Sequence, residues 1–174
     1  ALFLRIMTCD GSLVVYAPRC GSGTIVIEAA EMALGLRAGR NRTFAFMELP
    51  SFQKNEYDEL TQVNQKKINL KFYGSDRDNG AILSSIKSSK KAGVEKFCQF
   101  KTISISAAIP PTQKPGIVLV NPPYGKRVGN RKNLFALYRS LGQTLSEKFV
   151  GWQVGIITSD PGLAKATELK FLNI

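Results

Sequence analysis

Ile117-Val118-Leu119-Val120 is apolar at every position and runs directly into Asn121-Pro122-Pro123-Tyr124. A strand with one wet face alternates apolar and polar residues; an unbroken apolar run needs cover on both faces. This segment therefore predicts a central strand of a parallel sheet, with helices above and below. The rest of the chain agrees. Leu13–Tyr16 and Gln153–Thr158 read as further buried strands, while Ile68–Tyr73 and Phe97–Ile105 alternate. Between them lie helical stretches: Ile25–Leu34 ended by Gly35, and Asn79–Ala92 capped by Asp78 and ended by Gly93. Leu134, Leu137, Tyr138, Leu141 and Leu145 fall on one helical face. Strands alternating with helices predict an α/β fold with a doubly wound, mostly parallel sheet. Residues 37–68 are polar and irregular and read as an insertion. Leu169–Ile174 begins a last strand that the chain stops too early to complete.

Composition narrows the chemistry. With 44% hydrophobic and 21% charged residues the 174-residue chain is globular and large enough for one core. It contains no His, which excludes His-based triads, His general bases and His metal ligands. Cys9, Cys20 and Cys98 have no paired spacing, so neither a disulfide frame nor a metal site is expected, and reduced thiols point to the cytoplasm. No apolar run is long enough to span a membrane. The chain starts at Ala1 rather than Met, as expected of a fragment of a longer protein. Its oligomeric state is left open.

Charge is uneven. The net charge is +11, yet the 51 residues from Lys96 to Ser146 hold no Asp or Glu and carry eight Lys and Arg. A polyanionic partner, nucleic acid first, fits that concentration; a merely basic surface is the alternative.

Two turns carry candidate chemistry. Ala17-Pro18-Arg19-Cys20-Gly21-Ser22-Gly23-Thr24 is a Gly-rich strand-to-helix turn, where a ligand meets free N–H groups. It is neither a dinucleotide fingerprint, since Val26 stands where the third glycine would be, nor a P-loop, since no Lys follows. A plain connector is the alternative. Asp76, at the next strand's end, can accept both hydroxyls of a ribose. Asn121-Pro122-Pro123-Tyr124 is the more specific signal. Its prolines fix the backbone, the Asn121 side-chain oxygen and Pro122 carbonyl accept hydrogen bonds, and Tyr124 offers a stacking face. A planar amine has two N–H donors for those acceptors, so the turn suits an exocyclic amine on a nucleobase.

CGSGT at 20–24, IEAA at 27–30, GSD at 74–76, NPPYGKR at 121–127, LYRSLGQTL at 137–145 and GW at 151–152 together resemble the catalytic domain of THUMP-associated RNA guanine-N2 methyltransferases. The resemblance runs from Leu13 onward and implies a Rossmann-like class I S-adenosylmethionine-dependent methyltransferase fold, so that residues 1–174 form one catalytic domain. It implies that S-adenosylmethionine is held by Cys20, Gly21, Ser22, Gly23, Thr24, Asp76 and Asn121. It implies that Asn121, Pro122, Pro123 and Tyr124 form the catalytic turn, and that guanine N2 in ribosomal or transfer RNA is the target. Lys126, Arg127, Arg131 and Lys132 would meet RNA phosphates, with no metal and no membrane involved. Two acids usual in the family are missing, at Ala17 and near Ser104. A DNA adenine amino methyltransferase, or a catalytically degenerate RNA-binding relative, are the other readings.

Overall fold

The computed structural model describes residues 12–62, 66–124 and 131–171. Five strands form one sheet: β1 (Val15–Pro18), β2 (Phe72–Asp76), β3 (Cys98–Thr102), β4 (Ile117–Val120) and β5 (Gln153–Ile156). All pairings are parallel, in the order β3-β2-β1-β4-β5. Chain order therefore reverses between β1 and β4, where Val15 pairs with Ile117 and Tyr16 with Val118.

Side chains along a strand alternate faces, and the two faces have separate cores. Val15, Ala17, Phe72, Ile117 and Leu119 turn toward α1 (Thr24–Ala33), which buries Val26, Ala29, Ala30 and Ala33 at helical spacing. Tyr16, Val118 and Val120 turn to the other face. There α4 (Arg131–Lys148) lays Leu141 and Leu145 on the sheet, with Phe149 and Trp152 beyond its end. Each large apolar side chain buried this way contributes about 1.5–3 kcal/mol. Gly142 lets α4 sit against the chain after α5 (Pro161–Lys165): a Cβ there would lie 1.8 Å from the Thr167 carbonyl oxygen. The central strand, the two-sided cover and the helical face on α4 match the sequence reading.

Other boundaries shift. β1 starts later than expected and runs to Pro18, which pairs with Ser75. β2 continues through Gly74, Ser75 and Asp76 because these small residues are buried, with Phe100 and Cys20 packed over Gly74. α3 (Asn79–Lys91) has its expected cap, with Gly80 N–H donating to Asp78 Oδ1 at 2.7 Å. The irregular 37–68 stretch contains α2 (Lys54–Thr61), which buries no residue of its own. It is held by Tyr57, packed on Phe46 and Phe52 and hydrogen-bonded to Arg37. Leu169–Phe171 is not a strand, and residues 172–174 lie outside the described residues. Among the described residues no helix is long and apolar enough to cross a membrane.

Candidate functional site

The cleft at the carboxyl ends of the strands is framed by hydrogen bonds to the backbone of the Gly-rich turn. Gly21 N–H donates to Asp76 Oδ2 at 3.1 Å, and Asp78 N–H donates to Asp76 Oδ1 at 3.1 Å. Cys20 N–H donates to the Ser75 carbonyl at 2.8 Å, and Ser85 Oγ donates to the Gly21 carbonyl at 2.8 Å. The turn is thereby tied to β2 and α3. Gly21 (φ 56°) and Gly23 (φ 81°) take left-handed conformations there. A Cβ on Gly23 would lie 2.9 Å from Ser85, whereas one on Gly21 would meet nothing within 4 Å. The Gly21 backbone thus faces open space that a ligand can enter.

Asp76 is 7% exposed and opens on a shallow cleft of about 150 Å³ lined also by Arg19, Arg77, Ile103, Ser104 and Ser140. Of the residues expected to hold a cofactor, Asp76 alone lines this cleft; Gly21 stands behind its carboxylate. Ser22 is exposed and within 3.3 Å of Thr24 Oγ1, at the start of α1. Ser104, near which the family's second acid is missing, lines the cleft. Ala17 does not line the cleft. It is 1% exposed and packs in the α1-side core, so an acid there would meet apolar side chains rather than a ligand. Arg19, left-handed at φ 64°, was not foreseen as a lining residue. Its signal was its place within the turn.

Burial pushes the Cys20 thiol up to about 11, against a hydrogen bond to Ser85 and with Asp76 adding to the rise. Cys98 is pushed up to about 12, again mainly by burial. Neither is a nucleophile at neutral pH. Among the described residues no three His, Cys, Asp or Glu could share a metal ion.

The second turn leaves β4, the strand beside β1, so the two turns stand at adjacent strand ends. Asn121 is exposed, Pro122 is buried, and Pro123 and Tyr124 are half-buried. Asn121 does not line the Asp76 cleft. Tyr124 packs on Leu134, Tyr138 and Leu163. The buried Tyr138 hydroxyl points toward Thr158 without a hydrogen-bonding geometry, and burial raises its pKa. Lys126 and Arg127 lie outside the described residues. Arg131 and Lys132 begin α4, exposed, with Phe135 and Arg139 on the same surface. Arg131 also stands 5.7 Å from the Phe135 ring and 3.8 Å from Asp160.

A parallel sheet in this order, with a cleft at the ends of β1, β2 and β3, is Rossmann-like, and its likeness to solved methyltransferase structures makes it the class I methyltransferase fold. The chain belongs to the family described as RMKL-like methyltransferase domain, whose model matches residues 2–173. It is similar to the ribosomal RNA large subunit methyltransferase K/L of Shewanella loihica, 37% identical over 88% of this chain and 22% of that protein. It thus spans about a fifth of the length of such relatives. Among solved structures it resembles a protein described as a methyltransferase complexed with SAH, with a TM-score of 0.82 and 28% identity over 97% of this chain and 46% of that one. A protein from Listeria monocytogenes described as a predicted N6-adenine-specific DNA methylase matches with a TM-score of 0.76 and 25% identity, over 95% and 45% of the two chains.

Proposed function

We propose that this chain is the catalytic domain of an S-adenosylmethionine-dependent RNA methyltransferase acting on the exocyclic N2 amine of guanine, in ribosomal RNA first and transfer RNA second. The observation that carries this reading is the pair of turns at adjacent strand ends, a carboxylate-lined cleft beside β1 and Asn-Pro-Pro-Tyr after β4. Relatives named for ribosomal RNA support the substrate class.

The residues fit the cofactor. Asp76 offers carboxylate oxygens to ribose hydroxyls, and the Gly21 backbone leaves room that a Cβ would fill. When bound, S-adenosylmethionine supplies a methyl group already activated on a sulfonium. The protein's task is then alignment. Asn121 Oδ1 and the Pro122 carbonyl accept the two N–H groups of the amine and so expose its lone pair. Tyr124 stacks on the base, which must leave its helix to reach the turn. Transfer would form the N–C bond as the donor's S–C bond breaks and its electron pair returns to sulfur, leaving a neutral thioether, and the amine's extra proton would pass to water. Arg131 and Lys132, with Lys126 and Arg127 from the sequence, meet phosphates. The same turn suits adenine N6, and the Listeria neighbour favours that second reading.

Methyl transfer to RNA and to duplex DNA separates the two. RNA is the expected acceptor, and product on DNA adenine alone would overturn the proposal. Asn121→Ala is expected to slow transfer about 10²-fold with cofactor affinity retained, as for one lost preorganised polar group. Tyr124→Ala is expected to weaken RNA engagement by about 1–3 kcal/mol, and Tyr124→Phe far less. Full activity of Asn121→Ala would remove the turn from the mechanism.

A further inference from the structure

The helix α4 divides its surface three ways. Leu134, Tyr138, Leu141 and Leu145 are buried against the sheet and α5. Leu137 and Ser140 line the Asp76 cleft. The third face, Arg131, Lys132, Phe135, Ala136 and Arg139, surrounds an open hollow of about 430 Å³ that no carboxylate lines. Asp160 stands 3.8 Å from Arg131, and its Oδ1 accepts the Gly162 and Leu163 N–H groups that it caps. Arg139 is exposed and has no ion pair among the described residues. The rest of the lining is apolar: Phe135, half-buried, and Ala136. Phe135 packs on the same small cluster, Leu134, Tyr138 and Leu163, that carries Tyr124.

We propose that this hollow holds the nucleotide beside the target in a single RNA strand: its base stacks on Phe135 while Arg131 and Arg139 hold the flanking phosphates. The inference rests on the proposed RNA methyltransferase reading and adds a second base platform to it. A bare phosphate gains nothing from an apolar wall, and an apolar ligand gains nothing from the cations. An unpaired nucleotide offers both a flat apolar face and an anion. In a duplex the bases stack on each other, and no face is left for Phe135. The Arg131 guanidinium, 5.7 Å from the ring centroid, is near the ~6 Å limit of a cation–π contact. At 76% exposure it can yield the ring to a base and take a phosphate instead. Because one packed cluster bears both Tyr124 and Phe135, a strand whose target base lies on Tyr124 has its next nucleotide in reach of Phe135.

The test is fluorescence-anisotropy titration of the whole chain with single-stranded oligoadenylate of about ten residues, within the usual length of such sites. The controls are a strand of the same length and charge built on abasic tetrahydrofuran spacers, and an adenylate–uridylate duplex. The native chain is expected to bind oligoadenylate at least about fivefold more tightly than the abasic strand. Phe135→Leu should weaken oligoadenylate binding roughly five- to hundredfold and leave both controls unchanged, and Phe135→Tyr should retain native affinity. Arg139→Gln should lower the slope of log affinity against log salt by about 0.7 for the single strand. The abasic comparison and the exposed Arg139 leave the cluster untouched, so both stand even if Phe135→Leu fails to fold. An abasic strand bound as tightly as oligoadenylate, equal losses for every ligand in Phe135→Leu, or a salt slope unmoved by Arg139→Gln overturns the inference. Methyl transfer to RNA by the same native sample separates the two readings. With transfer intact, only the second platform falls; with neither transfer nor RNA binding, both fall.

Discussion

Asp76 has two tasks that a substitution can separate. Its two oxygens each accept a backbone N–H at 3.1 Å, from Gly21 and from Asp78, and the residue is 7% exposed. Asp76→Asn keeps the shape but presents an NH₂ group to one of those donors. One hydrogen bond to a charged acceptor is lost, about 1.5–3 kcal/mol, and a donor is left facing a donor. For a chain of this size each kcal/mol moves Tm by about 2–4 °C. The loss expected is therefore about 3–12 °C, read by thermal unfolding without ligand. Titration with S-adenosylhomocysteine reads the second task. Affinity should fall at least about tenfold, since the same group would accept ribose hydroxyls and the Gly21 backbone would no longer be fixed. A Tm unchanged within a degree would refute the framing role. Unaltered affinity at a lowered Tm would refute the ligand role and place the cofactor elsewhere.

Ala17→Asp is expected to lower stability by at least about 2 kcal/mol, because it buries a carboxylate among apolar side chains, and to leave product affinity no tighter; tighter binding in a stable variant would contradict the core placement. Cys20 and Cys98 are expected to resist alkylation at pH 8 in the native protein and react once it is unfolded, since burial holds both thiols protonated. Because their folded pKa values are raised from 9.0 to about 11 and 12, the stability they contribute is complete below pH 9 and declines as pH rises through 11–12; a Tm flat from pH 8 to 10.5 would contradict this.

What could be read in the sequence follows from how local each signal is. β4 was legible because four consecutive apolar residues have few other uses. α4 was legible from its period, and the start of α3 from Asp78. β2 was cut short at Tyr73 because Gly74, Ser75 and Asp76 look like a turn. Only pairing with β1 on one side and β3 on the other shows them to be strand. α2 has no apolar stripe, so its support from Tyr57, Phe46 and Phe52 could not be inferred from its own residues. At the site, the residue types and their strand ends were visible, Asp76 at the cleft among them. That Arg19 lines the cleft while Ala17 turns into the core is decided by backbone direction at the end of β1, which no spacing rule conveys.

The reversal of strand order has a kinetic consequence. The cleft and the Asn-Pro-Pro-Tyr turn meet only when β1 pairs with β4, and β2, α3 and β3 lie between them in the chain. Closing so long a loop is among the slow steps of folding. Half-formed chains can hold the β1–β2–β3 side, with the Gly-rich turn tied to Asp76, before any acceptor turn stands beside it. A cofactor that grips the Asp76 side alone would then favour this early half, whereas a ligand spanning both turns would favour only the completed sheet. The pairing of β1 with β4 is thus the step that sets the cleft and the Asn-Pro-Pro-Tyr turn side by side.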